Sequence, residues 1–466
     1  MTGMSVRPYW ELRFDADGDV DTRQRDRLLE QAAQRELTDL VVFSHSWHNT
    51  RAMATRLHDR FFAPFPELLG AAGPARLGYV GVVWPSMRFA DESLAGFPRE
   101  PAPGARPGLD AETRAALEAL FPGRRQIVAR LAELLDERSE RLAALDEFGV
   151  LVRGLVGVRG EPGPPADPSA PEEDGVPAMF GEDVAEVCER FAAALAEARD
   201  KTDTEDHALP LPDGGLDGPG ALDGPGRLHG PGRLDGLDGL DGPGRLHGLW
   251  DGAHELLRQS TYYVLKRRAG TVGREGLGPV LGALTALRSA PRLHLVGHSS
   301  GARLVSYALT GLPERASVAS LTLLQGAFSH DAFAETPPHA TSRPGALRAA
   351  AHRVGGPVVA CHSRHDTGLG LLYPVASRMS GDDASALPGD TRWGAIGYDG
   401  VRGMDGSRRL DLAEALDGPF PAEGWVSVDV SEVVRHGVPP VGAHSDICHE
   451  ELARLVLRAA RIGSGP

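Results

Sequence analysis

The chain has 466 residues, 41% of them hydrophobic, which is enough for a sizeable core; length alone suggests about three domains, although an α/β fold can run past 250 residues as one. A formal net charge of −15, scarce lysine and the lack of a polybasic block argue against a nucleic-acid partner, because phosphate binding needs a basic face. No segment approaches the roughly 18 consecutive apolar residues that cross a bilayer, and Cys188, Cys361 and Cys448 are too scattered for a disulfide or zinc framework. Met1 to Asp19 lacks a charged start followed by an apolar run, so the expected compartment is the cytoplasm.

In chain order, Tyr9 to Phe14 reads as a strand, Thr22 to Leu37 as a helix, and Leu40 to Phe43 as a second strand. Asn49 to Phe62 is helical, and Leu77 to Trp84 is a strand that ends at Pro85. The pattern then changes. Glu100 to Gly108 and Glu161 to Pro177 are proline-rich, Ala111 to Phe148 reads as two helical stretches broken at Pro122-Gly123, and Asp183 to Arg199 is another amphipathic helix. Pro210 to Gly248 repeats Leu-Asp-Gly and Gly-Pro-Gly-Arg-Leu units, with few residues able to form a core, and is expected to be disordered or loosely turned. Its Asp-Gly repeats lack the Gly-x-Gly-x-Asp register of a calcium-binding β-roll.

Strand-like runs then return at Arg292–Val296, Leu321–Leu324, Pro357–Cys361 and Trp425–Val430, with a closing amphipathic helix over Glu450–Arg461. Strand and helix in alternation predict an α/β fold, a mostly parallel sheet covered on both faces. The division expected is a first core part over 9–87, a helical and proline-rich insertion over 88–208, a low-complexity linker over 209–249, and a second core part over 250–462. Loop-closure entropy grows only with the logarithm of length, so such an insertion is tolerable, and its helices are placed as a lid over the site.

The chemistry gathers around Gly297-His298-Ser299-Ser300-Gly301, which directly follows the run ending at Val296 and directly precedes a helical pattern with Ala302, Val305, Leu309 and Leu312 on one face. Glycine is so frequent here (58 residues) that Gly-x-Ser-x-Gly alone is a weak signal, and its context decides. A strand, a sharp bend and a helix lift one hydroxyl clear of the backbone, where a histidine from elsewhere can deprotonate it. Gly297 and Gly301 flank the bend where a Cβ would clash. A serine nucleophile also needs a base, an orienting acid and oxyanion donors, in the chain order Ser, acid, His. Asp366 lies in the loop beyond the strand Pro357–Cys361, where sites in open α/β sheets collect. His444 is the chosen base, on a glycine-containing loop before the last helix, with His436 and His449 as rivals.

These features resemble the serine hydrolases of the α/β-hydrolase superfamily, over about residues 9–87 and 250–462. The likeness extends to Val41-Val42-Phe43-Ser44-His45-Ser46-Trp47 and to Trp84-Pro85-Ser86, which resemble a group of bacterial hydrolases with His-Gly-Trp after the early strand and Trp-Pro-Ser after the next. The resemblance implies that Ser299 attacks an acyl carbonyl, His444 takes its proton and Asp366 fixes the imidazole tautomer. The backbone N–H groups of Ser300 and Trp47 would then bind the oxyanion. No cofactor or metal is implied, the partner is a small ester-type molecule, and neither the substrate nor the oligomeric state follows. Ser46 departs from the pattern where glycine is usual; at positive φ a serine would cost roughly 1 kcal/mol or more.

Other readings attach to the same residues. Asp366 could cap the helix that follows it. The spacing of His362, His365 and Asp366 could suggest a metal, without a second set of ligands. Lys266, Arg267 and Arg268 read as a solvated helix face. Two further function classes stay open: a catalytically weak or inactive interaction protein on this scaffold, and a lipid-acting esterase whose lid would present Leu117, Leu120, Phe121, Ile127 and Leu131.

Overall fold

All seven strands expected from the apolar runs are present in the computed structural model, which describes residues 4–46, 50–70, 76–89, 108–157, 178–206, 243–338, 343–378, 391–438 and 441–463. The chain opens with β1 (Tyr9–Arg13), α1 (Thr22–Arg35), β2 (Asp39–Ser44), α2 (Arg51–Phe62), α3 (Phe65–Leu69) and β3 (Leu77–Val83). Four helices follow: α4 (Ala111–Leu120), α5 (Arg125–Glu137), α6 (Leu142–Val156) and α7 (Val184–Asp206). Then come α8 (Pro243–Thr271), α9 (Gly278–Thr285), β4 (Arg292–His298), α10 (Ser300–Ala308), β5 (Ser320–Leu324) and β6 (Pro357–His362). The chain closes with α11 (Tyr373–Arg378), α12 (Ile396–Asp399), β7 (Arg408–Asp411), α13 (Leu412–Asp417), β8 (Gly424–Asp429) and α14 (Glu450–Ala460).

The eight strands form one sheet in the order β1-β3-β2-β4-β5-β6-β8-β7, and every pairing is parallel. The registers bring the carboxyl ends together: Ser44 is level with Gly297, His298 with Leu324, and His362 with Asp429. Successive side chains on a strand point to opposite faces, so each buried strand feeds two cores. Leu40, Val42, Leu293, Leu295 and Leu321 pack on the face that carries α1 and α8. Val41, Phe43, Val296, Leu324 and Val428 pack on the face that carries α2 and α14. With both faces covered, central strands must be apolar along their middle, as Leu40 to Phe43 of the wholly buried β2 illustrate.

Several sequence readings need correction. The stretch 111–148 carries three helices rather than two, because the chain also breaks after α5, where Arg138 adopts φ 43°. The helix after Ser299 has the apolar face expected, but its polar face is not solvated: every residue of α10 is buried, Arg303 included, whose Nε donates to the carbonyl of Lys266. Leu117, Leu120, Phe121 and Leu131 are buried in the same apolar cluster as one face of the sheet, with Ile127 packed against it, so they are not an exposed lid face. Arg268 is not simply solvated, since it donates to the carbonyl of Pro85. The low-complexity reading was too long at one end, because α8 begins at Pro243, inside it. Most of Glu100 to Gly108, Glu161 to Pro177 and the tract 210–242 lie outside the described residues.

Candidate active site

Ser299 follows β4 directly and holds φ 56° and ψ −119°, a conformation that side chains larger than glycine rarely adopt. Such strain costs roughly 1–3 kcal/mol and survives only where the surroundings enforce it. Here they do. The Ser299 N–H donates to the carbonyl of Leu324 (3.0 Å), and its own carbonyl accepts from Ala302 (3.0 Å) and Ala327 (3.3 Å). The flanking glycines are needed for contact: a Cβ on Gly297 would lie 2.4 Å from the Ala302 Cα, and one on Gly301 would lie 2.3 Å from the carbonyl oxygens of Ser44 and His45. The end of β2 is thereby pressed against the first turn of α10.

The loops after β6 and β8 bring two more side chains to this bend. His444 Nε2 lies 2.7 Å from Ser299 Oγ, and His444 Nδ1 lies 2.7 Å from Asp366 Oδ2. A carboxylate only accepts, so Nδ1 carries the proton and Nε2 is left to accept from the serine hydroxyl. Asp366 is fully buried, and its other oxygen accepts from the N–H of Leu369 (3.0 Å). The capping role and the orienting role are therefore filled by one carboxylate, an oxygen each. The two loops are also tied to each other, Ala443 N–H donating to the His365 carbonyl (2.9 Å) and Gly368 N–H to the Val441 carbonyl (3.2 Å). Gly442 makes this contact available: it has φ 57°, and a Cβ there would lie 2.4 Å from the His365 carbonyl oxygen.

The rival histidines go elsewhere. His436 is exposed, with its ring 3.3 Å from Asp446, and His449 Nε2 bonds the same carboxylate at 2.8 Å. Asp446 also accepts from the backbone N–H groups of Arg435 and His436, so it pins the chain on both sides of His444. Nothing in the sequence pattern marked that residue. His298, inside the bend, donates from Nε2 to the His444 carbonyl (2.8 Å); burial, reinforced by the nearby His444 ring, depresses its pKa to about 3, so it is neutral. His45 is likewise held neutral by burial, with a pKa of about 4. Its ring stacks on Trp84, whose indole N–H donates to the His45 carbonyl (3.3 Å). The two short motifs after β2 and β3 thus touch each other.

Ser300, expected from the sequence as an oxyanion donor, is the first residue of α10, where a backbone N–H has no intrahelical acceptor. Trp47 lies outside the described residues. Ser46 is buried and is not among the non-glycine residues with positive φ, which corrects the strain anticipated there. Among the described residues, the hydroxyls of Ser44, Ser46 and Ser300 and both amide atoms of Gln325 are buried without a hydrogen-bond partner. Gln325, at φ 42° just past β5, is a second strained residue at this edge that sequence reasoning missed.

Beside His444 lies a cavity of about 50 Å3, lined by Tyr262, Ala327, Leu369, Leu372, Tyr373 and the guanidinium-bearing Arg258, among others. No sequence signal separated these residues from ordinary core. Among the described residues, no group of three or more His, Cys, Asp or Glu side chains is placed to hold a metal ion, so His362, His365 and Asp366 do not make such a group. No described helix is long and apolar enough to cross a membrane. Compared with known proteins, the chain matches no protein family, no curated protein and no solved structure.

Proposed function

We propose that this chain is a serine hydrolase with an α/β-hydrolase fold, cleaving carboxylic ester bonds, or thioesters or amides, through an acyl-enzyme. The observation that carries this reading is the buried relay in which Asp366 Oδ2, the His444 ring and Ser299 Oγ follow one another at 2.7 Å each. It joins side chains from three loops at the carboxyl edge of the sheet, with the serine on a strained bend between strand and helix. An ordinary structural serine needs neither the strain nor a buried imidazole oriented by a carboxylate.

In the reaction, Ser299 Oγ bonds to the acyl carbon as its proton passes to His444 Nε2. The imidazolium gains its stability from Asp366, and the oxyanion accepts from the Ser300 N–H and a second donor. His444 then protonates the departing alcohol as the ester C–O bond breaks. Water repeats the sequence on the acyl-enzyme: its proton goes to His444, its oxygen to the acyl carbon, and the acid leaves as Ser299 recovers its proton. No cofactor enters either half. The free, buried thiols of Cys188 and Cys361 support the cytoplasmic residence that belongs to this proposal.

Two features speak against the other classes. A scaffold kept only for interaction has no use for the relay, and Ser46 imposes no positive-φ penalty on the oxyanion loop. A lipid-acting lid built on Leu117, Leu120, Phe121, Ile127 and Leu131 would need them exposed, whereas they are packed into the core, and on α6 only Leu142 and Val150 stand out as exposed large apolar side chains among the described residues. The test is covalent labelling by a fluorophosphonate with turnover of nitrophenyl esters by the pure protein. Wild type should react at Ser299 and Ser299→Ala should not; equal labelling of the two would overturn the assignment.

A further inference from the structure

Two neighbouring side chains at the bend reach one residue of another loop. His298 is the last residue of β4 and Ser299 follows it, and along a strand such neighbours point to opposite faces. Here both meet His444: Ser299 Oγ lies 2.7 Å from its Nε2, and His298 Nε2 lies 2.8 Å from its carbonyl oxygen. The turn to φ 56° at Ser299 breaks the alternation that would otherwise part them. The contacts close a circuit. It runs from the hydroxyl through the imidazole and backbone of His444 to the His298 ring and, by one peptide bond, back to the serine.

We infer that His298 is a positioning residue, whose Nε2–H holds the main chain of His444 and so sets the distance over which the serine proton passes. The inference rests on the serine-hydrolase reading of the site. Two observations support it. The first is the place of the bond. The main-chain bonds at Ala443 and Gly368 join the base loop to the acid loop, whereas this one joins it to the strand that carries the nucleophile. The second is a cost. His298 is buried, and its Nδ1 has no hydrogen-bond partner among the described residues. An unpaired ring nitrogen away from water is unfavourable, and an apolar ring of similar size would not carry it. The use of this ring therefore lies with its other nitrogen. A carbonyl only accepts, so the hydrogen is on Nε2 and Nδ1 is bare. Burial, reinforced by the nearby His444 ring, depresses the pKa of His298 to about 3. His298 thus stays neutral and adds no second cation beside the imidazolium that His444 becomes.

The experiment compares His298→Phe, which keeps a ring of similar size without the donor, with His298→Gln, whose amide N–H reaches about as far as Nε2. Turnover of nitrophenyl acetate, fluorophosphonate labelling at Ser299 and the denaturant midpoint are measured for each. His298→Phe should lower kcat about 10^2-fold with KM within about twofold, as expected of about 1 Å of misplacement. Its midpoint should match or exceed that of wild type, because the unpaired nitrogen is gone. His298→Gln should recover kcat to within about fivefold of wild type, since the donor returns. A phenylalanine variant within about threefold of wild type in kcat overturns the positioning role. So does a glutamine variant as slow as the phenylalanine one, because ring shape and not the donor would then matter. Should His298→Phe fold poorly, NMR of wild type labelled in its histidine ring nitrogens decides. The His298 ring should carry its hydrogen on Nε2 between about pH 5 and about pH 9, and hydrogen on Nδ1 overturns the role. A wild-type enzyme that labels at Ser299 and is matched by His298→Phe leaves the hydrolase reading intact. A protein that neither labels nor turns over any ester removes both.

Discussion

Replacing Asp366 by asparagine tests the relay where its geometry makes the sharpest demand. The carboxylate serves two donors at once, Leu369 N–H on Oδ1 and His444 Nδ1–H on Oδ2, and an amide can accept on one side only. If the amide oxygen stays on Leu369, its NH2 faces His444 Nδ1 and forces the tautomer with hydrogen on Nε2, which cannot take the serine proton. If the amide flips, two N–H groups face each other at Leu369 and a cap-type bond is lost, worth about 1 kcal/mol. Either arrangement also removes the charge that stabilises the imidazolium. In triads of this geometry the exchange lowers kcat by about 10^4-fold, which is about 5 kcal/mol of barrier. Because the side chain is isosteric, the fold should persist, with a denaturant midpoint close to wild type. The assay is stopped-flow turnover of nitrophenyl acetate with parallel fluorophosphonate labelling. A variant within tenfold of wild type in both would refute the role of Asp366, and with it the argument that buried, dual-bonded carboxylates orient the base here.

Other outcomes follow from the same geometry. His444→Ala should lose turnover about as completely as Ser299→Ala, whereas His436→Ala, an exposed residue, should retain it; the reverse result would reassign the base. Asp446→Ala frees the chain on both sides of His444, and a displacement of about 1 Å there should cost about 10^2-fold in kcat with little change in KM. Gly301→Val would drive side-chain atoms into the Ser44 and His45 carbonyls and should lower the unfolding midpoint by an amount corresponding to about 3 kcal/mol or more, read by denaturant titration. Acid should also weaken the fold. His45 and His298 have pKa values depressed by burial from the ordinary 6.5 to about 4 and about 3. Between 6.5 and those values the unfolded chain binds more protons, so stability falls as pH falls through that window. His330, raised by Asp331 and Asp399 against the burial that lowers it, contributes in the opposite sense: its share is present below the ordinary pKa and is lost as pH rises through the folded one. Equilibrium unfolding between pH 7 and 4 should therefore flatten by about one proton in His298→Gln.

Much of the architecture could be read from the chain because central parallel strands are apolar on both faces, and the loops at their carboxyl ends collect the chemistry. Ser299 and Asp366 stood out for that reason, each at or just beyond the end of an apolar run, whereas His444 was picked from three histidines by its glycine-containing loop and by the family resemblance. What escaped notice had a different physical origin. The edge strand β7 is Arg408-Arg409-Leu410-Asp411, mostly exposed, and carries no apolar run to signal it. The break between α5 and α6 uses Arg138 in the left-handed region, without the glycine or proline that normally marks a stop. The hexapeptide Pro-Gly-Arg-Leu-His-Gly occurs at 225–230 and again at 243–248, and the second copy opens α8, where the chain continues into the buried Leu249 and Trp250. The first copy lies outside the described residues. Arg258, Tyr262 and Leu372 were equally invisible, since a cavity wall and an ordinary core draw on the same residue types.

The two backbone bonds between the loops of Asp366 and His444 have a consequence for how such a molecule changes over time. The two loops are riveted to one another through main chain, whose donors and acceptors persist whatever side chains are exchanged. The cavity beside His444 is instead walled by side chains, among them Arg258 and Tyr262 of α8 and Leu369, Leu372 and Tyr373 after residue 366. That wall can thus change by substitution while the spacing of the two loops stays fixed, a separation of duties written into which atoms do the holding.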